Sequence, residues 1–374
     1  MSSYKRGLKA LNLKHTDRIP HWEFISNPDF ETELTGIDAY KHPQKARIKT
    51  LELLDWDVGR VPITDEPSDV QFRSHESVKV DKRGKKVVRW GAGRSWNWDH
   101  GSMFKSIEDV KKFNPISYFL EGNQKTIFDD MDPIQRWFSL PLEELANKLN
   151  NYQRKLQNIA GEQAVIPAYY YRTLLMWPLM FFGWELTAEL AYCYKKDFKR
   201  IFSGFAEISK KVMKAFAMTN IVAIMSHDDL CMTSGPIFNP NWYRENLYGY
   251  YEEIWGPLKK AGIKIIFISD GKLDEVFDDL VAVGADGIFA EPYTDLDKFA
   301  RKYKNQLIMV GNMDTRILLE GKKDDIKKEV DRCTAFGIDS PGYFYSVTNH
   351  ITWNIPVENV KFYFEYCKEK GVRK

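Results

Sequence analysis

Short, unbroken apolar runs alternate with helical patterns through the second half of the chain, and each run ends in a polar cluster. Residues 221–225 read Ile-Val-Ala-Ile-Met and turn abruptly into Ser226, His227, Asp228 and Asp229. Residues 263–268 lead into Ser269-Asp270-Gly271, residues 287–290 into Glu291 and Pro292, and residues 306–310 into Gly311-Asn312-Met313-Asp314. Residues 343–347 lead into Thr348-Asn349-His350. An apolar run of this length without alternation suits a strand covered on both faces. Strands of this kind separated by helices predict a parallel α/β fold. In a parallel barrel their polar ends share the face where active sites are built.

The rest of the chain extends that picture into one domain, residues 1–374, as a (β/α)8 TIM-type barrel with an N-terminal β-hairpin insertion at about 70–98. The patterns predict a helix over 4–13, a strand over 21–25 carrying His21 and Glu23, helices over 30–34 and 45–54, and a strand over 58–62. Two β-rich runs, 77–80 and 86–90, flank a turn at 81–84 and read as the hairpin. A helix is expected over 106–113, with Ser106 as N-cap and Asp109 in the first turn. Another follows over 141–156, then a strand over 164–168 that ends in Tyr169, Tyr170, Tyr171 and Arg172. Helices over 187–194, 198–217, 240–261, 324–336 and 357–370 complete the reading. That over 198–217 carries Ile201, Phe205, Ile208, Val212 and Phe216 on one stripe.

Composition narrows the function classes. At 374 residues and 44% hydrophobic content the chain can bury a large core. Its formal charge of +2 calls for neither nucleic acid nor an anionic membrane. The apolar cluster at 174–184 is interrupted by Pro178 and Gly183, so no spanning helix is expected. Cys193, Cys231, Cys333 and Cys367 lack CxxC spacing and read as reduced thiols. With no apolar signal core at the N-terminus, the expected location is cytoplasmic. The 11 Trp, 19 Tyr and 23 Phe suit a pocket for a flat ligand as well as an aromatic core. Trp90, Trp96 and Trp98 read as a lid, a wall or simple hairpin packing; Tyr169, Tyr170, Trp177 and Trp184 read as core or wall.

There is no GxGxxG, no GK[ST] loop and no GxSxG elbow, so nucleotide cradles and serine-hydrolase elbows are unsupported. A His-x-Cys pair for a thiol-activating zinc is missing as well. What remains is a set of carboxylates, imidazoles and amides: His21, Glu23, His227, Asp228, Asp229, Asp270, Glu291, Asn312, Asp314 and His350. Such a set moves protons, holds a cation or orients polar substituents, and spacing does not choose among these. Each member also has a structural alternative. His227 suits a satisfied core histidine, Asp270 before Gly271 a helix cap, His350 a loop anchor, and Asn312 and Asp314 a fixed turn; Arg18 suits a tether for the N-terminal segment. Neighbours on an extended strand point to opposite faces, so only one of Asp228 and Asp229 is expected to face the pocket.

Several motifs in order resemble the uroporphyrinogen decarboxylase superfamily. They are Ser226-His227-Asp228-Asp229-Leu230, Ser234-Gly235-Pro236 with Asn239-Pro240, Ser269-Asp270-Gly271, Gly311-Asn312-Met313-Asp314, and Asn349-His350-Ile351 through Pro356-Val357-Glu358-Asn359-Val360. The likeness is continuous from about residue 220 to the C-terminus, and Asp17-Arg18-Ile19-Pro20-His21-Trp22-Glu23 is similar to the family's usual N-terminus. The resemblance implies a (β/α)8-type barrel with its site at the strand C-termini. It also implies one of two activities: decarboxylation of a tetrapyrrole, or methyl transfer involving a corrinoid.

Departures from the family pattern bear on that choice. The decarboxylases grip substrate carboxylates with an Arg-Gln-Ala-Gly-Arg run, where this chain reads His21-Trp22-Glu23-Phe24-Ile25-Ser26-Asn27-Pro28, with a glutamate that would repel them. The thiol-methylating members place a His-x-Cys zinc motif where Ile268-Ser269-Asp270-Gly271 stands here. The resemblance therefore points to the methyltransferases of anaerobic O-demethylase systems, which move a methyl group from a methoxylated aromatic to the Co(I) corrinoid (a cobalamin) of a small partner protein. On that reading Asp229, Asp270, His227 and His350, in that order, are the candidates for the acid or its partner. Glu23, His21, Asp228, Glu291, Asn312 and Tyr169 are the substrate-binding candidates. A Zn2+ held by some of Glu23, His227, Asp229, Asp270 and Glu291 is an alternative to a protein acid. Decarboxylation, methylcobamide:thiol methyl transfer, a corrinoid-protein docking module and a metal-dependent hydrolase or lyase stand as other readings, and a homodimer stays open.

Overall fold

The structure is a computed structural model that describes residues 1–68, 70–72, 76–80, 86–91, 102–120 and 133–373. The apolar runs form six strands: β1 (Ala168–Tyr171), β2 (Ala223–His227), β3 (Lys264–Ile268), β4 (Gly287–Ala290), β5 (Ile308–Gly311) and β6 (Tyr343–Phe344). They make one sheet in sequential order, every neighbouring pair parallel. All residues of β2, β4 and β5 are buried, as their unalternating sequences require. One face of the sheet presents Met225, Ile266, Ile268, Phe289, Ile308, Val310 and Phe344, packed together with Trp22, Val58 and Val165. The other face meets the helices, including Lys195–Ala217, whose stripe of Ile201, Phe205, Ile208, Val212 and Phe216 is buried.

Beyond the six strands, single parallel bridges join Tyr345 to His21, Trp22 to Val58, and Val58 to Val165. They link the segment after β6 to the segment before β1 through two further extended pieces of chain. The expected strand over 21–25 therefore pairs at His21 and Trp22, and Ile25–Ser26 pairs parallel with Ile351–Thr352. The expected strand over 58–62 pairs at Val58 alone.

Other boundaries moved for local reasons. The strand expected at 164–168 begins later, so the three tyrosines lie within β1. Strand alternation then sends Tyr170 to the helix side, where its hydroxyl is 3.0 Å from Ser209 Oγ. The helix expected over 240–261 divides into Pro240–Asn246 and Tyr248–Lys260, with Leu247 between them. Helix Met176–Cys193 is broken at Gly183 (φ 74°, ψ 177°), a conformation glycine reaches without a Cβ clash. Among the described residues no helix is long and apolar enough to cross a membrane. Ser106 caps Ile107–Lys112 by accepting from the Asp109 backbone N–H. Val78–Val80 pairs antiparallel with Lys86–Val88; the turn at 81–84, Trp96 and Trp98 lie outside the described residues.

Arg18 tethers the N-terminal segment. Its guanidinium reaches Asp55 Oδ2 at 3.1 Å and Asp57 Oδ2 at 3.1 Å, and Arg6 reaches the other oxygen of Asp57 at 2.7 Å.

Candidate active site

The C-terminal ends of the strands open into a cavity that is continuous with solvent. Its walls are Phe24, Trp90, Tyr169, Tyr171, Ile268 and Phe289, and its polar groups are Arg60, His227, Ser269, Asp270, Glu291, Thr348, Asn349 and His350. Alternation along β1 turns both Tyr169 and Tyr171 to this face. The Tyr171 ring meets the His227 imidazole edge-on at 4.6 Å, and the Phe24 and Phe289 rings stack at 5.4 Å.

His227, at the end of β2, lies between two oxygens. Its Nδ1 is 2.7 Å from the Tyr169 hydroxyl and its Nε2 is 2.9 Å from Asp229 Oδ1. Burial alone would lower this imidazole; the negative charge of its neighbours, Asp229 foremost among the carboxylates, holds it well above its ordinary value. The Asp229 carboxyl is pulled below its ordinary range despite its own burial, by His227 and by a 3.0 Å bond from the Asp270 backbone N–H. Asp270 moves the other way. Burial first, and then the charges of Asp229 and Glu291, push its carboxyl up to about 7. No described residue donates a hydrogen bond to its carboxylate, which lines the cavity. Glu291 is raised by burial and by Asp229 and Asp314, while its Oε2 accepts from the Gly271 N–H at 2.7 Å.

The glycine of Ser269-Asp270-Gly271 has a steric cause. At φ 86° it lies in the left-handed region, and a Cβ there would stand 2.6 Å from the Cys231 carbonyl carbon and oxygen. Only glycine lets the chain turn there and present Asp270 to the cavity.

His350 lies on the far side of the Phe24 ring, 5.2 Å from it, with Nδ1 2.9 Å from Ser26 Oγ. Burial and the Arg60 and Arg47 cations push it down to about 3, so it is neutral around pH 7. Ligand atoms of His227, Asp229 and Asp270 all lie within 4.8 Å of one another. One imidazole and two carboxylates suit a borderline divalent cation with an open coordination position, once a neutral His227 gives up its bond to Asp229.

The family model described as Uroporphyrinogen decarboxylase (URO-D) matches residues 181–370, half of the chain. The chain belongs to the uroporphyrinogen decarboxylase family. It is 26% identical to a uroporphyrinogen decarboxylase of Thermus thermophilus over 131 residues, which is 35% of this chain and 38% of that protein. It is 24% identical to the Syntrophotalea carbinolica enzyme over 174 residues, 46% of this chain and 49% of that one. The matched stretches thus span less than half of either relative. Among solved structures, a methyltransferase from Methanosarcina mazei superposes over 99% of both chains with a TM-score of 0.64 at 15% identity, a likeness of fold.

Within this family fold, the cavity gathers His227, Asp270, Glu291, His350 and Tyr169, with Asp229 held against His227. Besides Asp229, five of the candidate residues are not in the lining of this cavity. His21 and Glu23 alternate with Trp22 and Phe24, so they face the C-terminal helix Val357–Lys370 instead of the cavity. His21 packs against Tyr345, Tyr363 and Phe364 and is held well below its ordinary value by burial and nearby cations. The carboxyl of Glu23 bonds the Tyr363 hydroxyl at 2.5 Å and the Val347 N–H at 2.9 Å; burial pushes it up to about 8. It therefore neither repels substrate carboxylates nor joins His227, Asp229 and Asp270 as a ligand. Asp228 faces away from Asp229, as alternation demands, and accepts from the backbone N–H groups of Leu174, Leu175 and Met176 and from the Tyr251 hydroxyl, at 2.7 to 2.9 Å. Asn312 donates to the carbonyls of Glu291 and Thr294, which fixes the turn. Asp314 accepts from its neighbour Arg316.

The sequence pattern did not single out Arg60, Phe24, Tyr171, Phe289, Ser269, Thr348 or Asn349. The available signal for Arg60 was a cation at the end of the short run 58–62, and for Tyr171 its place two residues after Tyr169.

Proposed function

We propose that the chain moves a methyl group from a methoxylated aromatic compound to the Co(I) corrinoid of a small partner protein, on a (β/α)8-type barrel. The bridges from Tyr345 through Trp22 and Val58 to Val165 support the barrel. The methyltransferase fold neighbour is consistent with the reaction class. The observation that carries the proposal is the cavity itself: aromatic walls suited to a flat ligand, and at one side a carboxyl, Asp270, to which no described residue donates.

An aryl methyl ether is a poor methyl donor because the phenolate that leaves is strongly basic (phenol pKa about 10). The corrinoid supplies the electron pair that forms the new bond to methyl. Asp270 supplies the proton: its O–H donates to the ether oxygen as the O–CH3 bond breaks, and the phenol departs neutral. A carboxyl held near 7 is poised for that transfer at neutral pH. Asp229 stays ionised beside the His227 imidazolium, and its charge keeps the neighbouring Asp270 protonated. This electrostatic pattern puts Asp270, not Asp229, first as the acid. His350, neutral and bonded to Ser26, positions and does not protonate.

Mixing the protein with a Co(I)-loaded corrinoid protein and a series of methoxylated arenes tests the proposal. Loss of the Co(I) absorbance with at least one arene is expected; none with any arene rejects it. The metal reading has a specific geometric basis, since His227, Asp229 and Asp270 converge. A zinc ion held by them would polarise the ether oxygen in place of the Asp270 proton. Exhaustive chelation separates the two: an unchanged rate is expected if Asp270 is the acid, and a loss restored by zinc means the ion is required.

A further inference from the structure

Arg60 is the cation of the cavity. It follows Val58, the paired residue of its segment, and its guanidinium carbon stands 3.9 Å from the Tyr169 ring centroid and 4.3 Å from that of Phe24. Two aromatic faces thus hold the group flat and leave its N–H edges directed elsewhere. Among the described residues no carboxylate forms an ion pair with it, although Glu291 and Asp270 line the same cavity. Three buried arginines elsewhere show the usual arrangement, each with its anion: Arg6 has Asp17 and Asp57, Arg18 has Asp55 and Asp57, and Arg47 has Glu31. A second donor on the same wall also lacks an acceptor. Trp90 lines the cavity, and its buried indole N–H meets no acceptor among the described residues. His350, in the same lining, is neutral and adds no negative charge.

We propose that Arg60, stacked on Tyr169 and Phe24 with no counter-ion among the described residues, binds the carboxylate of an arene carboxylate, so that the methyl donor is a methoxylated aromatic acid. The inference rests on the cavity being the donor site. A guanidinium recognises a carboxylate through two parallel N–H···O bonds, and it favours the planar anion over a neutral group of similar shape. The ring of such a ligand then has Phe24, Phe289 and Tyr171 as neighbours, and its ether oxygen lies toward Asp270.

Calorimetric binding of para-methoxybenzoate and of para-methoxybenzamide, its neutral analogue, tests this without any corrinoid protein. The wild-type protein is expected to bind the anion about ten- to a hundredfold more tightly than the amide. Arg60→Met should abolish that preference while amide binding stays, and Arg60→Lys should keep part of it. Equal wild-type affinities, a preference that survives in Arg60→Met, or no binding of either arene overturns the inference. The two proposals fail separately. Tight, Arg60-dependent binding of the anion with no methyl transfer from any arene removes the reaction and keeps Arg60 as the carboxylate site. Methyl transfer with no preference for the anion does the reverse.

Discussion

Two charged clusters lie on either side of the bridge residue Val58, and they are built on opposite principles. Before Val58, Asp57 is wholly buried, and each of its oxygens is matched: Arg6 on one, Arg18 and the His21 N–H on the other. After Val58, Arg60 stacks on rings and, among the described residues, has no anion, while across the cavity no described residue donates to the Asp270 carboxylate. The first cluster is complete in the protein alone and holds the N-terminal segment in place. The second leaves one cation and one acid for an incoming molecule to complete. Burial pushes Asp57 up to about 6 against two arginines, whereas Asp270 reaches about 7 because burial and neighbouring carboxylates act in the same direction. Like-signed neighbours therefore mark the reactive cluster, and opposite-signed neighbours the structural one.

The contrast can be broken most forcefully at Asp57. Asp57→Asn leaves two buried guanidiniums short of charge and is expected to cost about 3–5 kcal/mol of stability, read from the urea midpoint, with arene affinity of the folded fraction unchanged. Asp270→Asn should do the converse. Methyl transfer should fall about 10^2- to 10^4-fold in the Co(I) assay, with no loss of stability. A titration of stability against pH sharpens the point. Asp270 is raised from 3.8 to about 7, so the folded chain holds its proton where the unfolded chain has released it. Stability from this group is present below about 4 and is lost as pH rises towards about 7. The wild-type protein should therefore lose stability relative to Asp270→Asn across that window, and parallel curves would mean an ordinary carboxyl. The smallest effect is expected at Tyr169→Phe, which removes the hydroxyl bonded to His227 but keeps the ring beneath Arg60. The rate should fall about two- to tenfold with arene affinity retained.

How much of this was visible in the chain before folding depends on the strand. Residues 223–227, 264–268 and 287–290 announce themselves as strands because apolar runs buried on both faces need no tertiary information to recognise. Their polar ends, His227, Asp229, Asp270 and Glu291, do gather around the cavity. Alternation separates Asp228 from Asp229 correctly. The same rule applied to 21–24 would have turned His21 and Glu23 away and brought Phe24 in, but their chemistry made them attractive. Arg60 was hidden for a different reason. Its segment pairs through a single bridge at Val58, too little chain to show any period, and its importance comes from two rings on other segments of the chain, Phe24 and Tyr169. Trp90 and the acceptor-free state of its indole depend likewise on contacts that no local pattern encodes.

Asp228 has one more implication. Its carboxylate gathers the backbone amides of Leu174, Leu175 and Met176, which lead into helix Met176–Cys193, and the Tyr251 hydroxyl, so the chain just after β1 is pinned to the end of β2. Any shift of that corner would strand a negative charge in the interior, which leaves the base of the basin nearly immovable. Evolution can then re-tailor what the basin accepts only from its rim, at side chains such as Phe24, Arg60 and Trp90, while the acid beneath keeps its station.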